Sequence, residues 1–444
     1  MIRSAAPAAI STSCCRSAPP GKISGAGRRR KTRRLLKVLA PTKSEPQRRK
    51  GRKERARKAL KSWRASRLRG EKLARSLARA RSRRITIRRR GADCGPHRAK
   101  TYFRGGTAMR IANRVRDLPP YPFARLGRRV RELQAQGMDI IRLDIGSPDL
   151  PPPDFIINQL CRSARQPDLH GYGGYYGIPA LRRAMADYYA RRFGVELDPD
   201  RQVAPLIGSK EGIANVALAF VDPGDVVLVP DPGYLPYTTG ALLAGGEPHP
   251  FPLLAERGFL PDLSAIPEEA ARRAKILWLN YPNNPTGATA TLDFFEEAVA
   301  FARRYDLLIC HDNPYCDITF DGYTAPSLLQ TPGAMEVAIE FNSLSKVYNM
   351  AGWRVGLAVG NAGAVEALSR TKTNIDSGIF RPIQDAAVQA LSGDQSWLRE
   401  RNEIYRRRRD LILDALQEVG LRAEKPKASL YIWAETPAGP KFCG

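Results

Sequence analysis

From residue 203 onward the chain alternates between two hydrophobic periods. Short apolar, often β-branched runs at Val203–Ile207, Val226–Pro230, Ile276–Asn280, Leu307–His311, Ala338–Asn342 and Val355–Val359 predict strands. Several are apolar throughout, as expected when a mostly parallel sheet is covered on both faces. Longer stretches with a single apolar stripe lie between them. Leu292–Tyr305, with Phe294, Phe295, Val299 and Ala302 on one side, predicts a helix. Repeated β–α alternation predicts an α/β fold built on a doubly wound sheet. The flanking regions read differently. Residues 109–155 carry Pro119-Pro120-Tyr121-Pro122 and Pro151-Pro152-Pro153 on either side of a predicted helix at Phe123–Gln136. After residue 375 come predicted helices at Pro382–Leu391 and Trp397–Val419, then a strand-like Leu430-Tyr431-Ile432-Trp433. We expect residues 156–375 to form a large domain, with 109–155 and 376–444 packing together as a smaller α+β one.

Composition adds one boundary. A net charge of +28 over 444 residues would ordinarily point to nucleic acid. Residues 1–108, however, hold 35 of the 72 basic side chains and only four of the 44 acids (Glu45, Glu54, Glu71 and Asp93), which leaves the other 336 residues at −3. This leader, with runs such as Arg28-Arg29-Arg30-Lys31, repels itself and has few large apolar groups to offset ordering entropy, so it is predicted to be disordered. It is too long, and too poor in periodic apolar faces, for a targeting peptide. Nor is Arg33-Arg34-Leu35-Leu36-Lys37 followed by the apolar stretch of about 7–15 residues that export needs. A nucleic-acid-binding tail held by phosphate contacts is a further reading. The abrupt change favours Met109 as the native start, the residues before it being mis-called upstream sequence. No apolar run reaches the roughly 18 residues of a membrane span. The seven cysteines show no paired metal-ligand spacing, and Cys310 lies in an apolar run, a core thiol suited to a reducing cytoplasm.

The polar motifs fall just after the predicted strands. They are Gly208-Ser209-Lys210-Glu211-Gly212, Asp231-Pro232-Gly233-Tyr234, Asn283-Asn284-Pro285-Thr286-Gly287, Asp312-Asn313-Pro314-Tyr315 and Ser343-Leu344-Ser345-Lys346. Ligands of open α/β sheets bind at the carboxyl ends of the strands, so these distant residues should meet in one crevice. Small residues and free N–H groups at a helix start after Gly208 suit a phosphate; the plainer reading is a turn capped by Ser209. Asp312, at the end of a buried strand, is costly unless paired. A protonated pyridine nitrogen would pair it, and a turn or capping aspartate is the alternative. Asn284 and Tyr315 are placed to donate to a ring oxygen, and His311 reads as a satisfied structural histidine.

Lys346 is either a surface lysine in a loop or an amine that condenses with an aldehyde. In the second case burial beside other cations would lower its proton affinity, and the freed amine would serve as general acid and base. Arg354, in Gly352-Trp353-Arg354, would grip a phosphate together with Ser209 and Ser343. Tyr234 either stacks on a ring or packs within its loop. An amine, a phosphate-binding cation, a carboxylate and a phenol are together what a protein needs to hold pyridoxal phosphate (PLP), whose ring stabilises carbanions. The set points to amine chemistry.

From about Met109 to the end, Ser343–Lys346 with Gly352–Arg354, Asn280–Gly287 and Gly208–Gly212 resemble the motifs of class I and II aminotransferases of PLP fold type I. The resemblance implies a mostly parallel seven-stranded sheet flanked by helices, with Lys346 bonded to PLP. It implies Asp312 on the pyridine nitrogen, Asn284 and Tyr315 on the ring oxygen, and Tyr234 over the ring. Ser209, Ser343 and Arg354 would take the phosphate, with Lys210 among the cofactor contacts. Tyr172, in Tyr172–Pro179, matches a tyrosine lent to the neighbouring subunit's phosphate, which implies a homodimer with shared sites. Gly146 lies in the stretch that covers substrate, and with Asn284 is an implied substrate contact. Pro205–Ile213 and Asn374–Phe380 look most like bacterial LL-diaminopimelate aminotransferases of lysine biosynthesis, with alanine and aspartate aminotransferases as near relatives. Substrates would be an amino acid and a 2-oxo acid.

Members of this family continue past the Leu430–Trp433 segment to an arginine for the substrate α-carboxylate. This chain stops at Gly444, and Arg422, which precedes that segment, is not given the role. The expectation is a truncated copy that binds PLP but transaminates poorly, or not at all. A PLP-dependent C–S β-lyase is a competing enzyme. A PLP-binding transcription regulator is a competing function of another class, but its winged helix-turn-helix finds no counterpart in residues 1–108.

Overall fold

The computed structural model describes residues 109–436, apart from Asp117 and Pro120. The basic leader and its predicted disorder lie outside the described residues. Seven strands form one sheet: β1 Val203–Leu206, β2 Val226–Asp231, β3 Glu247–Pro252, β4 Ala274–Leu279, β5 Leu308–Asp312, β6 Ala338–Ser343 and β7 Gly356–Gly360. Their spatial order is β1-β7-β6-β5-β4-β2-β3. β7 runs antiparallel to β1 and β6, and the other pairs are parallel. Six strands therefore point the same way. Their carboxyl ends share one edge of the sheet with the amino end of β7.

Successive side chains of a strand face opposite sides, and the core divides accordingly. Leu206, Val227, Val229, Ile276, Trp278, Cys310, Ile339, Phe341 and Ala358 pack on one side, against Ile213, Val216, Tyr237 and Leu368 from the helices Ser209–Phe220, Pro236–Ala244 and Ala362–Thr373. Val226, Leu228, Leu277, Leu279, Ile309, Leu357 and Val359 pack on the other, against Tyr189 of Pro179–Phe193 and Phe295 and Ala302 of Leu292–Tyr305. Both faces are covered, which is why several of the strand runs are apolar throughout. The helix Leu292–Tyr305 has the predicted bounds and is capped by Thr291, whose hydroxyl accepts from Phe294 N at 3.3 Å.

Two expectations need correction. The periodicity named six strands and missed β3, whose Pro248, Pro250 and Pro252 argue against a ladder. β3 is an edge strand, and the flanking Glu247 and Leu253 N–H groups donate to Asp225 and Asp231 carbonyls at 2.7 and 2.8 Å. The prolines occupy the alternate positions, whose nitrogens face away from β2. The second correction concerns Leu430–Trp433, which forms no ladder. The ladder formed is instead the short Ala434–Glu435 with Arg422–Ala423. Ser429 takes φ 80° and bends the chain, so that Leu430 and Tyr431 pack against Tyr315, Ile318, Phe320 and Tyr405. Leu150 joins the same cluster, and Asp149 pairs with Arg408 at 2.8 Å, so residues from both flanking regions meet there. Among the described residues no helix is long and apolar enough to cross a membrane.

Candidate active site

A cavity of about 590 Å³ opens at the edge where the strand ends converge, and Gly146, Ser209, Lys210, Tyr234, Asn284, Asp312, Tyr315, Ser343, Lys346 and Arg354 all line it. Apart from Gly146, which precedes the helix Asp154–Ala164, these residues come from the ends of β1, β2, β4, β5 and β6 and from the approach to β7. Gly208 joins β1 to the helix Ser209–Phe220 with φ 74°. A Cβ there would clash with Arg354 Nη2, so the helix start lies against the guanidinium. Gly208 is the N-cap and no side chain caps the helix, which rules out the reading of Ser209 as cap. Ser343 does cap a helix: its Oγ accepts from Ser345 N at 3.2 Å at the start of the turn Leu344–Val347. Arg354 donates to Ala351 O at 2.9 Å and Ser345 Oγ at 3.4 Å.

Strand alternation sends His311 and Asp312 to opposite faces. His311 Nδ1 lies 2.8 Å from Glu340 Oε2 and Nε2 lies 3.1 Å from Tyr281 O, the satisfied structural histidine expected. Asp312, only 3% exposed, accepts from Tyr237 Oη at 2.7 Å through Oδ2. Tyr237 is itself stacked on Trp278, with ring centroids 4.5 Å apart. Asp312 Oδ1 is buried with no hydrogen-bond partner among the described residues. Burial pushes the carboxyl up to about 6, against the lowering influence of Tyr237, His311 and Lys346.

Lys346 Nζ donates to Gly146 O. Burial, and then the charge of Arg354, lower the ammonium to about 8, partly opposed by Asp312. Asn284 N donates to Asn280 Oδ1 at 2.7 Å, and Asn280 Nδ2 donates to Asp312 O at 2.6 Å, which ties the loop after β4 to the end of β5. Tyr315 and Tyr431 hydroxyls lie 2.9 Å apart. A Cβ on Gly146 would clash with the Tyr431 ring. Tyr234 packs edge-on against Tyr237 at 5.6 Å, and burial raises its phenol. Lys210 Nζ lies 4.6 Å over the Tyr121 ring. Tyr172 stands apart from the cavity and is 87% exposed.

Tyr121, Tyr237, Asn280 and Tyr431 belong to this site or brace it, and the motif reading did not single them out. Two left a local signal: Asn280 opens the Asn280–Gly287 motif, and Tyr237 stands three residues after Tyr234 on the same loop and helix start.

The family model for aminotransferase class I and II matches residues 138–441. The chain belongs to the class I and II aminotransferases. It is 58% identical over 328 residues to the LL-diaminopimelate aminotransferase of Desulforudis audaxviator (strain MP104C), covering 74% of this chain and 84% of that protein. It is 55% identical over 331 residues to the LL-diaminopimelate aminotransferase of Moorella thermoacetica (strain ATCC 39073 / JCM 9320), covering 74% and 85%. Among solved structures it is similar to substrate-bound BacF of Bacillus subtilis, with 37% identity, TM-score 0.71, and coverage of 74% of this chain and 84% of that one. It is also similar to a Thermus thermophilus aspartate aminotransferase single mutant, with 29% identity, TM-score 0.70, and coverage of 75% and 87%. This aminotransferase is a PLP-dependent enzyme with the type I fold of PLP enzymes.

Proposed function

We propose that the chain is an LL-diaminopimelate aminotransferase, moving an amino group from LL-diaminopimelate to a 2-oxo acid, or the reverse, in lysine biosynthesis. The names of its relatives support this substrate. The observation that carries the site assignment is the unpartnered Asp312 Oδ1, a buried acceptor in a cavity that also holds a lysine with lowered proton affinity. The N–H of a protonated pyridine would satisfy that oxygen, and the guanidinium of Arg354 packed against Gly208 puts a cation beside helix-start N–H groups, a pairing suited to a phosphate. The residues fit PLP.

Bound PLP would supply an electron sink for the carbanion formed at the substrate's α-carbon. Lys346 Nζ would hold PLP covalently and, once displaced by the substrate amine, carry the α-proton as base and acid. Asp312 Oδ1 would accept from the pyridine N–H and keep that nitrogen protonated. Arg354, Ser209 and Ser343 would bind the phosphate, with Lys210 alongside. Asn284 and Tyr315 would donate to the ring oxygen, and Tyr234 would lie over the ring. Gly146 and Asn284 would contact substrate. Tyr172, exposed in a single chain, suits a residue given to the neighbouring subunit's phosphate, which supports a homodimer with shared sites. The buried free thiols of Cys310 and Cys316 are in keeping with a cytoplasmic location. Residues 109–155 and 376–436, which meet through Asp149 and Arg408, form part of the smaller domain in this reading, and 156–375 the large one.

The test is amino transfer by the purified, PLP-loaded chain from LL-diaminopimelate, aspartate and alanine to a panel of 2-oxo acids. A higher kcat/KM with aspartate or alanine would overturn the substrate assignment. Release of pyruvate and a thiol from a sulfur amino acid without any oxo acid would identify a β-lyase instead.

A further inference from the structure

The helix Trp397–Glu418 buries three side chains at one-turn spacing, Arg401, Tyr405 and Arg409, and none of its residues lines the PLP cavity. Arg401 is 2% exposed. Among the described residues its guanidinium bonds to neutral oxygens alone. Nη1 donates to the carbonyls of Val347 and, at 3.5 Å, Lys346; Nη2 donates to the carbonyl of Asp317 at 2.7 Å and to Asn402 Oδ1 at 2.7 Å. The carboxylate of Asp317 is engaged elsewhere, by Arg192 at 2.7 Å and Tyr188 at 2.6 Å. A cation buried without its own hydrogen-bonded carboxylate is costly, so the placement of its acceptors is informative.

Those acceptors belong to two separate turns. Lys346 and Val347 end the short helix Leu344–Val347, where the last carbonyls lack intrahelical partners and favour a nearby cation. Asp317 follows Tyr315 by two positions and Asp312 by five. A planar guanidinium that does not deprotonate thus spans the turn carrying Lys346 and the turn that carries Tyr315 just after Asp312 ends β5. Asn402 Nδ2 doubles the hold on Asp317 O at 2.9 Å. The rings of Trp397 and Tyr405 lie 5.5 and 5.9 Å from the guanidinium carbon and confine it.

We propose that Arg401 is a positioning residue for Lys346, setting where Nζ stands relative to Asp312 and Tyr315 while touching neither PLP nor substrate. The inference rests on the reading of Lys346 as the PLP lysine.

The experiment uses the full chain with Arg401→Lys, Arg401→Met and the milder Asn402→Ala, each scored for folding by circular dichroism and for PLP per chain. Two readouts are compared: the midpoint of the pH titration of the PLP absorbance band, and kcat and KM for the amino donor. A positioning role moves the midpoint by about half a pH unit or more. It also lowers kcat about tenfold or more while KM changes little, with Arg401→Lys closer to wild type than Arg401→Met. Asn402→Ala moves both readouts in the same direction by less, and decides the matter if the Arg401 variants do not fold. Variants that lose thermal stability yet titrate and turn over like wild type would overturn the proposal. A wild-type chain that takes up no PLP would instead sink the functional reading on which it rests.

Discussion

Replacing Asp312 with asparagine should make the PLP-free protein more stable at neutral pH while removing its activity. Asparagine keeps an acceptor for the Tyr237 hydroxyl, 2.7 Å from Asp312 Oδ2, and resembles the neutral carboxyl in shape and charge. The wild-type carboxyl is buried, and burial raises it from 3.8 to about 6. An acid whose folded pKa exceeds its unfolded one lowers stability wherever the unfolded chain is the more ionised. The penalty is therefore small near pH 4, grows between pH 4 and 6, and is complete above about pH 7. At 1.36 kcal/mol per pH unit, a rise from 3.8 to about 6 amounts to roughly 3 kcal/mol. Urea unfolding of the PLP-free wild type and Asp312→Asn at pH 5, 6, 7 and 8 measures the difference directly. The variant's advantage should rise with pH and level off near roughly 3 kcal/mol, and adding PLP should stabilise the variant less than the wild type. A difference that does not vary with pH, or a variant less stable than wild type at pH 8, would refute the account of Asp312 as an acid held for a missing partner.

Uptake of PLP by the PLP-free chain should accelerate as the pH approaches about 8 and level off above it, because the Lys346 ammonium is lowered to about 8 by burial and Arg354. A midpoint near the ordinary 10.5 of a lysine, or borohydride trapping that survives Lys346→Ala, would count against that residue. Gly208→Ala places a Cβ against Arg354 Nη2 at φ 74° and should weaken PLP binding about tenfold, or roughly 1.4 kcal/mol; unchanged affinity by fluorescence titration would show that the phosphate lies elsewhere. Glu340, fully buried, accepts from Tyr189 Oη at 2.8 Å, Ser327 Oγ at 2.9 Å and Leu328 N at 3.1 Å, and pairs with His311. Glu340→Ala should therefore cost about 3–5 kcal/mol in urea unfolding, and a loss below about 1 kcal/mol would mean that the network relaxes without it.

The chain's own periodicity determined the α/β class, six of the seven sheet strands and the helix Leu292–Tyr305. Burial on both faces writes itself into continuous apolar runs, and a one-sided helix into a stripe. The same pattern placed Ser209, Asn284, Asp312 and Lys346 immediately or closely after strands, and parallel strands carry such positions to one edge. Edge strand β3 stayed hidden because its prolines disfavour a ladder unless only alternate nitrogens face a neighbour, and no local signal reports that geometry. Leu430–Trp433 looked like a strand because apolar residues serve a side-chain cluster as readily as a ladder. Contacts across the fold decided the rest. Tyr237 reaches Asp312 over 75 positions, Tyr431 reaches Tyr315 over 116, and Arg401 reaches the Lys346 turn over about 54. The raised Asp312 and the lowered Lys346 follow from the same assembly. Residue type sets what a side chain can do, while its desolvation and its partners exist only once the chain has packed.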